Sequence, residues 1–217
     1  EISACLVGSE MCIRDSYGVP LSGHCHRVAL FLNLLNIRYE AVNADATVRA
    51  SVDFRQLNPI GQIPVLCDGD LVLSDSNAIL VYLAKRYATD SQWLPEDAVA
   101  AAQVQRWLSI AAGELRYGPA NARIYRLWKA GKDDPVRAVE IGHDLLAFME
   151  QHLTARDYLA TDHPTIADLA CHSYIAHAPE GGIPLDNYPA VRAWLARIEQ
   201  LPGFVAMPRS ALSLIHI

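Results

Sequence analysis

The chain has 217 residues, a net charge of −6, 52% hydrophobic residues and 19% charged ones. These figures fit one large or two small folded domains with a substantial core. They exclude nucleic acid as the main partner, because phosphate binding needs a basic face. No apolar run reaches membrane-spanning length and no signal peptide is evident. Nine Tyr and four Trp suit a folded core and an aromatic-lined cleft.

The two ends do not read as protein. The DNA that can encode Leu212-Ser213-Leu214-Ile215-His216-Ile217 is the reverse complement of a string inside the DNA that can encode residues 6–16. Such an inverted repeat resembles translated transposon-end sequencing adaptor; chance would have to strike both ends in register. Residues 1–16 and 212–217 are therefore set aside from fold reasoning. That leaves Cys25, Cys67 and Cys171, scattered cysteines that suggest a reducing compartment and no disulfide framework.

In chain order, Tyr17-Gly18-Val19-Pro20 reads as the tail of a first strand whose upstream half is lost, since Arg14-Asp15-Ser16 makes a poor buried strand. Residues 21–25 are a turn. Val28, Leu30, Phe31, Leu32, Leu34 and Leu35 form a strongly apolar helix ending near Asn36. Residues 39–43 alternate as a second strand, and 48–57 form a short helix with Phe54 and Leu57 facing inward. Two apolar runs, 63–66 and 71–73, flank Asp68-Gly69-Asp70 as a hairpin with a tight acidic turn. Pro64 cannot donate to a ladder and belongs at the strand start. Asp75-Ser76 opens the next helix, where free N–H groups attract an anion. A hairpin with a proline at one corner and an anion site at the other suits an extended peptide. The helix carries Ala78, Ile79, Tyr82, Leu83 and Tyr87 at three-to-four spacing.

This β-α-β-α-β-β-α order makes one small α/β domain, with a parallel βαβ unit and an antiparallel hairpin strand. Residues 88–97 read as a linker, and everything beyond reads as helix. Residues 98–115 are Ala-rich; Gly118-Pro119 is expected to kink or restart that helix. Pro135 suits a first helical position, and residues 136–153 are amphipathic. Thr165-Ile166-Ala167-Asp168 matches a capping box and opens a helix to about His177. Residues 179–182 break it, and Tyr188-Pro189 starts a last helix through Ile198.

An α/β domain of this order followed by helices resembles the glutathione transferase family, nearest its bacterial, serine-type members. The residues that carry the resemblance are Tyr17-Gly18-Val19-Pro20-Leu21-Ser22, Asn58-Pro59-x-Gly61-x-Ile63-Pro64-Val65-Leu66, Asp75-Ser76-Asn77-Ala78-Ile79 and Thr165-Ile166-Ala167-Asp168. Each string is modest alone; their order and spacing over 17–207 make the likeness. It implies a thioredoxin-like N-terminal domain over 17–88 and an all-α domain over 97–207 carrying a hydrophobic substrate pocket. It also implies reduced glutathione as cosubstrate, no metal, a homodimer and a cytoplasmic location.

By the same resemblance Ser22 stabilises the glutathione thiolate by hydrogen bond, aided by the helix dipole; from spacing alone, Ser22 reads as a plain N-cap. Ser22-Gly23-His24-Cys25 stands where a thioredoxin has Cys-x-x-Cys, so dithiol exchange within the motif is not available, and Cys25 reads as a buried small hydrophobe. His24 and His26 read as surface or cleft residues, with no third ligand to complete a zinc site. Ile63-Pro64 resembles a cis-proline corner that pairs Ile63 with the cysteinyl backbone; without the family, a trans proline at an edge strand is the reading. Gln62 and Arg49 are candidates for the glycyl end, with Arg49 equally a solvated helix charge. Ser76 suits the γ-glutamyl carboxylate and Asp75 its ammonium, while Asn77 stands where some relatives carry arginine. Arg116, Tyr117 and Asn121 are candidates for the second-substrate pocket or plain residues at a kink. Thr165 and Asp168 read as structural.

The implied activity is conjugation of glutathione to small hydrophobic electrophiles in detoxification. The alternatives are a glutathione-binding scaffold or stress module without turnover, and a glutathione-dependent isomerase, dehalogenase or peroxidase on the same fold.

Overall fold

The computed structural model describes residues 14–89, 92–131 and 134–211. Residues 1–13 and 212–217 of the two set-aside flanks lie outside them. The N-terminal half runs β1 (Asp15–Gly18), α1 (Gly23–Leu34), β2 (Glu40–Asn43), α2 (Ala46–Ala50), α3 (Val52–Leu57), β3 (Val65–Asp68), β4 (Leu71–Ser74) and α4 (Ser76–Tyr87). Among the described residues its strands form one mixed sheet in the order β2-β1-β3-β4. β1 runs parallel to β2, with Tyr17 opposite Val42, and antiparallel to β3, with Tyr17 opposite Val65. The parallel pair requires a crossover, and the apolar helix α1 supplies it. β3 and β4 make the expected hairpin, turning at Gly69 with φ 61°.

The first strand corrects the sequence reading. It is not cut at Tyr17: Asp15 and Ser16 pair with both neighbouring strands. Arg14 meets Asp68 at 3.3 Å and donates to the Tyr87 hydroxyl at 3.1 Å. Ladder bonds on both sides override poor strand propensity. The local conflict survives as like charge, since Asp15 stands opposite Glu40; burial first, then Glu40, pushes the Asp15 carboxyl up.

The expected helix over 48–57 is two helices. Ser51 takes an extended conformation between them, and its hydroxyl accepts from the Phe54 amide at 3.2 Å, so it caps α3. α1 ends where Asn36 adopts φ 52°, a left-handed position that Asn tolerates.

The second half is helical: α5 (Ala98–Ala112), α6 (Asn121–Trp128), α7 (Pro135–Leu153), α8 (Ile166–Ala176) and α9 (Pro189–Glu199). The break expected at Gly118-Pro119 is a π-helical turn over Arg116–Ala120 that leads directly into α6. The wider turn accommodates a proline that has no N–H to give. Gly118 is required there, because a Cβ would come within 2.9 Å of the Gly142 amide nitrogen on α7.

α8 is buried on every residue from Ile166 to Ile175 and packs against α1, α4 and α5. A helix apolar all round belongs at the centre of a fold. Phe31 and Leu66 from the sheet domain join Trp107 and Trp194 from the helices in one core, each fully buried. Each such side chain contributes about 1.5–3 kcal/mol. Phe54, Ala44 and Val65 form a smaller cluster on the other face of the sheet. Thus an α/β domain with a four-stranded sheet is followed by a helical domain, and one core joins them. No helix among the described residues is long and apolar enough to cross a membrane.

Candidate functional site

The hairpin and the start of α4 face the π turn across a cleft of about 370 Å³. One wall is Gln62, Ile63 and Pro64, and the opposite wall is Ala111, Ala112, Arg116 and Tyr117. Asp75, Ser76 and Asn77 line it from α4, and His24 and Arg27 from α1.

Local sequence shapes each part. Asn58 is buried; its side-chain amide donates to the Gln62 carbonyl at 2.8 Å and its side-chain oxygen accepts from the Ile60 amide at 3.2 Å. That staple fixes the loop leading to Ile63. The Ile63-Pro64 bond is cis. Neither the amide nor the carbonyl of Ile63 has a hydrogen-bond partner among the described residues.

At the same open end of the hairpin, where Val65 pairs with Ser74, Asp75 caps α4 with φ 74°, a positive value that side chains rarely adopt. Its carboxylate accepts from the Asn77 and Ala78 amides, both at 2.9 Å. The Ser76 amide, the first of the helix, has no partner among the described residues, which leaves a donor free at the positive end of the helix dipole.

Ser22 lies at the N-terminus of α1. Its hydroxyl accepts from the Cys25 amide at 3.4 Å and its amide donates to the Val19 carbonyl at 3.1 Å. Ser22 is half-buried and is not among the residues that wall the cleft; His24, two residues on, is. The turn before Ser22 is tied to the helical domain, because Arg123 donates to the Leu21 carbonyl at 2.7 Å. Cys25 is buried, and burial pushes its thiol up against hydrogen bonding with Ser22 and Val19, which suits an inert thiol.

Arg49 also stands outside the cleft walls and donates back to the Asp45 carbonyl at 3.3 Å in its own helix. Arg116 and Tyr117 line the cleft, whereas Asn121 does not and instead accepts from Arg116. His26 corrects the surface-or-cleft reading: it is buried, with Nδ1 2.7 Å from the Ser173 hydroxyl and Nε2 2.7 Å from the Val205 carbonyl. Thr165 and Asp168 form a capping box and do not line the cleft. Asp168 is fully buried and accepts from the Thr165 amide and hydroxyl, the Leu159 amide and the Trp194 indole.

One cleft residue, Arg27, escapes the sequence reading, while His24, read as surface or cleft, lines the cleft. Arg27 is 1% exposed, and its Nη1 donates to the Ser76 hydroxyl at 3.2 Å and to the Asn77 side-chain oxygen at 2.9 Å. The signal for it was a charge at helical spacing, 27 then 31, on the buried face of an apolar helix. His24 sits edge-on to Tyr174, ring centroids 5.0 Å apart, with Nδ1 3.4 Å from the Ser76 hydroxyl. Burial, then the charges of Arg27 and Arg116, pushes its pKa well below 6.5, so the imidazole is neutral. The cleft thus presents the Arg116 guanidinium and the Asp75 carboxylate, with the buried Arg27 guanidinium behind Ser76, a complement to an anionic ligand that also carries an ammonium. Among the described residues no cluster of three or more His, Cys, Asp or Glu side chains could hold a metal ion.

A second cavity of about 460 Å³ lies beside the Cys25 and Ala29 face of α1, under Tyr39 and Val205. It is mostly apolar and holds none of the expected ligand-binding residues.

Comparison with known proteins places the whole architecture. The glutathione S-transferase N-terminal domain matches residues 17–91, and the glutathione S-transferase C-terminal domain matches residues 97–202. Glutathione S-transferase 3 of Zea mays is 35% identical over 202 residues, covering 87% of this chain and 90% of the maize protein. The crystal structure of a glutathione S-transferase from Xanthobacter autotrophicus Py2 superposes with a TM-score of 0.84 at 33% identity, covering 93% of this chain and 99% of that one. A glutathione transferase homolog from Drosophila mojavensis, solved with bound glutathione, has a TM-score of 0.77 at 27% identity, covering 88% and 90%. With both domains matched in order and a relative this similar over nearly its full length, the chain belongs to the glutathione S-transferase family.

Proposed function

We propose that this chain, a glutathione transferase by family, holds reduced glutathione in the cleft and conjugates its sulfur to small hydrophobic electrophiles. The observation that carries this reading is the unpaired backbone of Ile63 ahead of cis Pro64, beside the free Ser76 amide at the open end of the hairpin. An extended tripeptide completes the Ile63 edge through its cysteinyl amide and carbonyl, as an added strand does. Its γ-glutamyl carboxylate takes the Ser76 amide and hydroxyl, and its ammonium takes Asp75. Gln62 and Arg49 serve the glycyl end, with Arg49 reaching in from α2.

The thiol loses its proton to solvent, and the Ser22 hydroxyl donates to the thiolate that remains. The sulfur then attacks the electrophile. With an aryl halide the new carbon–sulfur bond replaces the carbon–halogen bond and halide leaves; with an activated alkene the adduct gains a proton. Arg116, Tyr117 and Asn121 belong to the side that receives the electrophile. The same reading makes the enzyme a cytoplasmic homodimer in detoxification, of bacterial type in keeping with its likeness to bacterial structures.

A second reading has one observation in its favour. Ser22 caps its own helix and stands outside the cleft walls, which suits a protein that binds glutathione without conjugating it. Steady-state turnover with 1-chloro-2,4-dinitrobenzene separates the two. The conjugation reading expects turnover that Ser22→Ala lowers by about ten- to hundredfold, the worth of one hydrogen bond to a charged group. Glutathione binding with no turnover over a broad electrophile panel establishes the binding module instead.

A further inference from the structure

A buried cation beside the anion-binding end of the cleft has no ion-pair partner among the described residues. Arg27 is 1% exposed on α1. Its Nη1 donates to Ser76 and Asn77, but Nε and Nη2 have no hydrogen-bond partner among the described residues. No carboxylate among the described residues lies within ion-pair distance of it. Isolating a charge from water without a partner is expensive. The Asp75 carboxylate favours the cation only from beyond ion-pair distance, and its Oδ1 accepts from the Asn77 and Ala78 amides. His24 is neutral, and Asn77 turns its amide to the Leu108 carbonyl at 3.0 Å.

The contact with Ser76 has a direction. Guanidinium only donates, so the Ser76 oxygen accepts and keeps its own proton for another group. Its neighbour His24 Nδ1, 3.4 Å away, is a distant acceptor that a carboxylate outcompetes. The unpartnered Arg27 nitrogens are themselves sealed from solvent, so a ligand cannot reach them. Asn77 also removes the charge that an arginine at that position would carry.

We infer that Arg27 is a positioning residue for the γ-glutamyl end of glutathione: it holds Ser76 and Asn77 at the start of α4, turns the Ser76 hydroxyl proton toward the ligand, and supplies the positive charge that balances the ligand's α-carboxylate without touching it. The inference rests on the glutathione reading above and adds the source of charge at that subsite.

The test pairs variants with ligands. Wild type, Arg27→Met and Arg27→Lys are titrated calorimetrically with glutathione and with its analogue lacking the γ-glutamyl α-carboxylate, γ-aminobutyryl-cysteinyl-glycine. KM for glutathione and kcat are measured alongside. Arg27→Met is expected to weaken glutathione binding about tenfold or more and to raise KM by a similar factor, with a much smaller fall in kcat. It should leave the analogue within about twofold of wild type, which also reports an intact cleft. Arg27→Lys, which keeps the charge, should recover most of the glutathione affinity. Equal loss for both ligands, or no loss for either, overturns the role of Arg27 and leaves the glutathione reading standing. Failure of wild type to bind glutathione overturns both.

Discussion

The buried pair Arg123–Glu180 makes the sharpest energetic prediction. Their side chains are 1% and 4% exposed, and Arg123 Nε lies 2.6 Å from Glu180 Oε2. Glu180 Oε1 also accepts from the Ser210 amide at 2.8 Å, and Arg123 Nη1 holds the Leu21 carbonyl. Glu180→Ala therefore strands a buried guanidinium and an amide together. Breaking such a pair from one side costs about 3–5 kcal/mol. The Trp128 ring, 5.6 Å from the guanidinium, and the Leu21 carbonyl remain as partial compensation, so we expect about 3–4 kcal/mol. That is a large part of the roughly 5–15 kcal/mol that keeps a domain folded. The double variant Arg123→Met/Glu180→Leu removes both charges and should cost less than the sum of the single changes by about 2 kcal/mol or more. Urea unfolding at pH 7.5 with a constant slope measures each arm. A loss under about 1 kcal/mol for Glu180→Ala, or strict additivity in the cycle, refutes the reasoning.

Two further predictions concern buried polar groups. Asp168→Ala leaves four donors unpaired in the centre of the fold, namely the Thr165 amide and hydroxyl, the Leu159 amide and the Trp194 indole. At about 1–3 kcal/mol per stranded group, with partial relaxation, it should destabilise by about 4 kcal/mol or abolish folding. Asp168→Asn, which keeps two acceptor contacts, should lose less; equal unfolding midpoints for Asn, Ala and wild type would contradict this. The second prediction concerns His26, whose pKa is lowered to about 4, chiefly by burial. Its folded value lies below its ordinary value of 6.5, so the unfolded chain takes up the proton first. The stability it contributes is complete above pH 6.5 and is lost as pH falls toward about 4, to a limit of about 3 kcal/mol. His26→Gln should flatten the fall in stability between pH 6.5 and 5, and parallel curves for variant and wild type would exclude His26 as the source.

Features with a local cause were legible in the sequence. Gly69 between two apolar runs, Pro135 behind the cap Asp134, and Thr165 three residues before Asp168 each encode their own turn or cap, and all three stand where expected. Together they fixed the order of elements that the fold displays. What escaped was set by distant partners. Asp15 and Ser16 are strand only because β2 and β3 lie on either side. The π turn at Pro119 depends on the close approach of Gly118 to Gly142 on α7. Arg27 looks like one more helix charge until α4 is folded against it, when it becomes the cation under Ser76. The cleft follows the same division. Its hairpin wall was readable from Ile63 to Ser76, while its α1 wall depended on packing that brings His24 and Arg27 to the start of α4.

The central claim is that this cleft binds glutathione and that Ser22 stabilises its thiolate. Ultraviolet absorbance of the thiolate, followed against pH with glutathione bound, tests it directly. In the wild-type protein the bound thiol should ionise near pH 7 or below, against about 8.5 for an ordinary thiol. Ser22→Ala should return the midpoint toward 8.5 with glutathione affinity within about threefold of wild type. A midpoint unchanged by Ser22→Ala would take the thiolate away from Ser22, and absence of any glutathione-dependent signal or binding would contradict the account at its root.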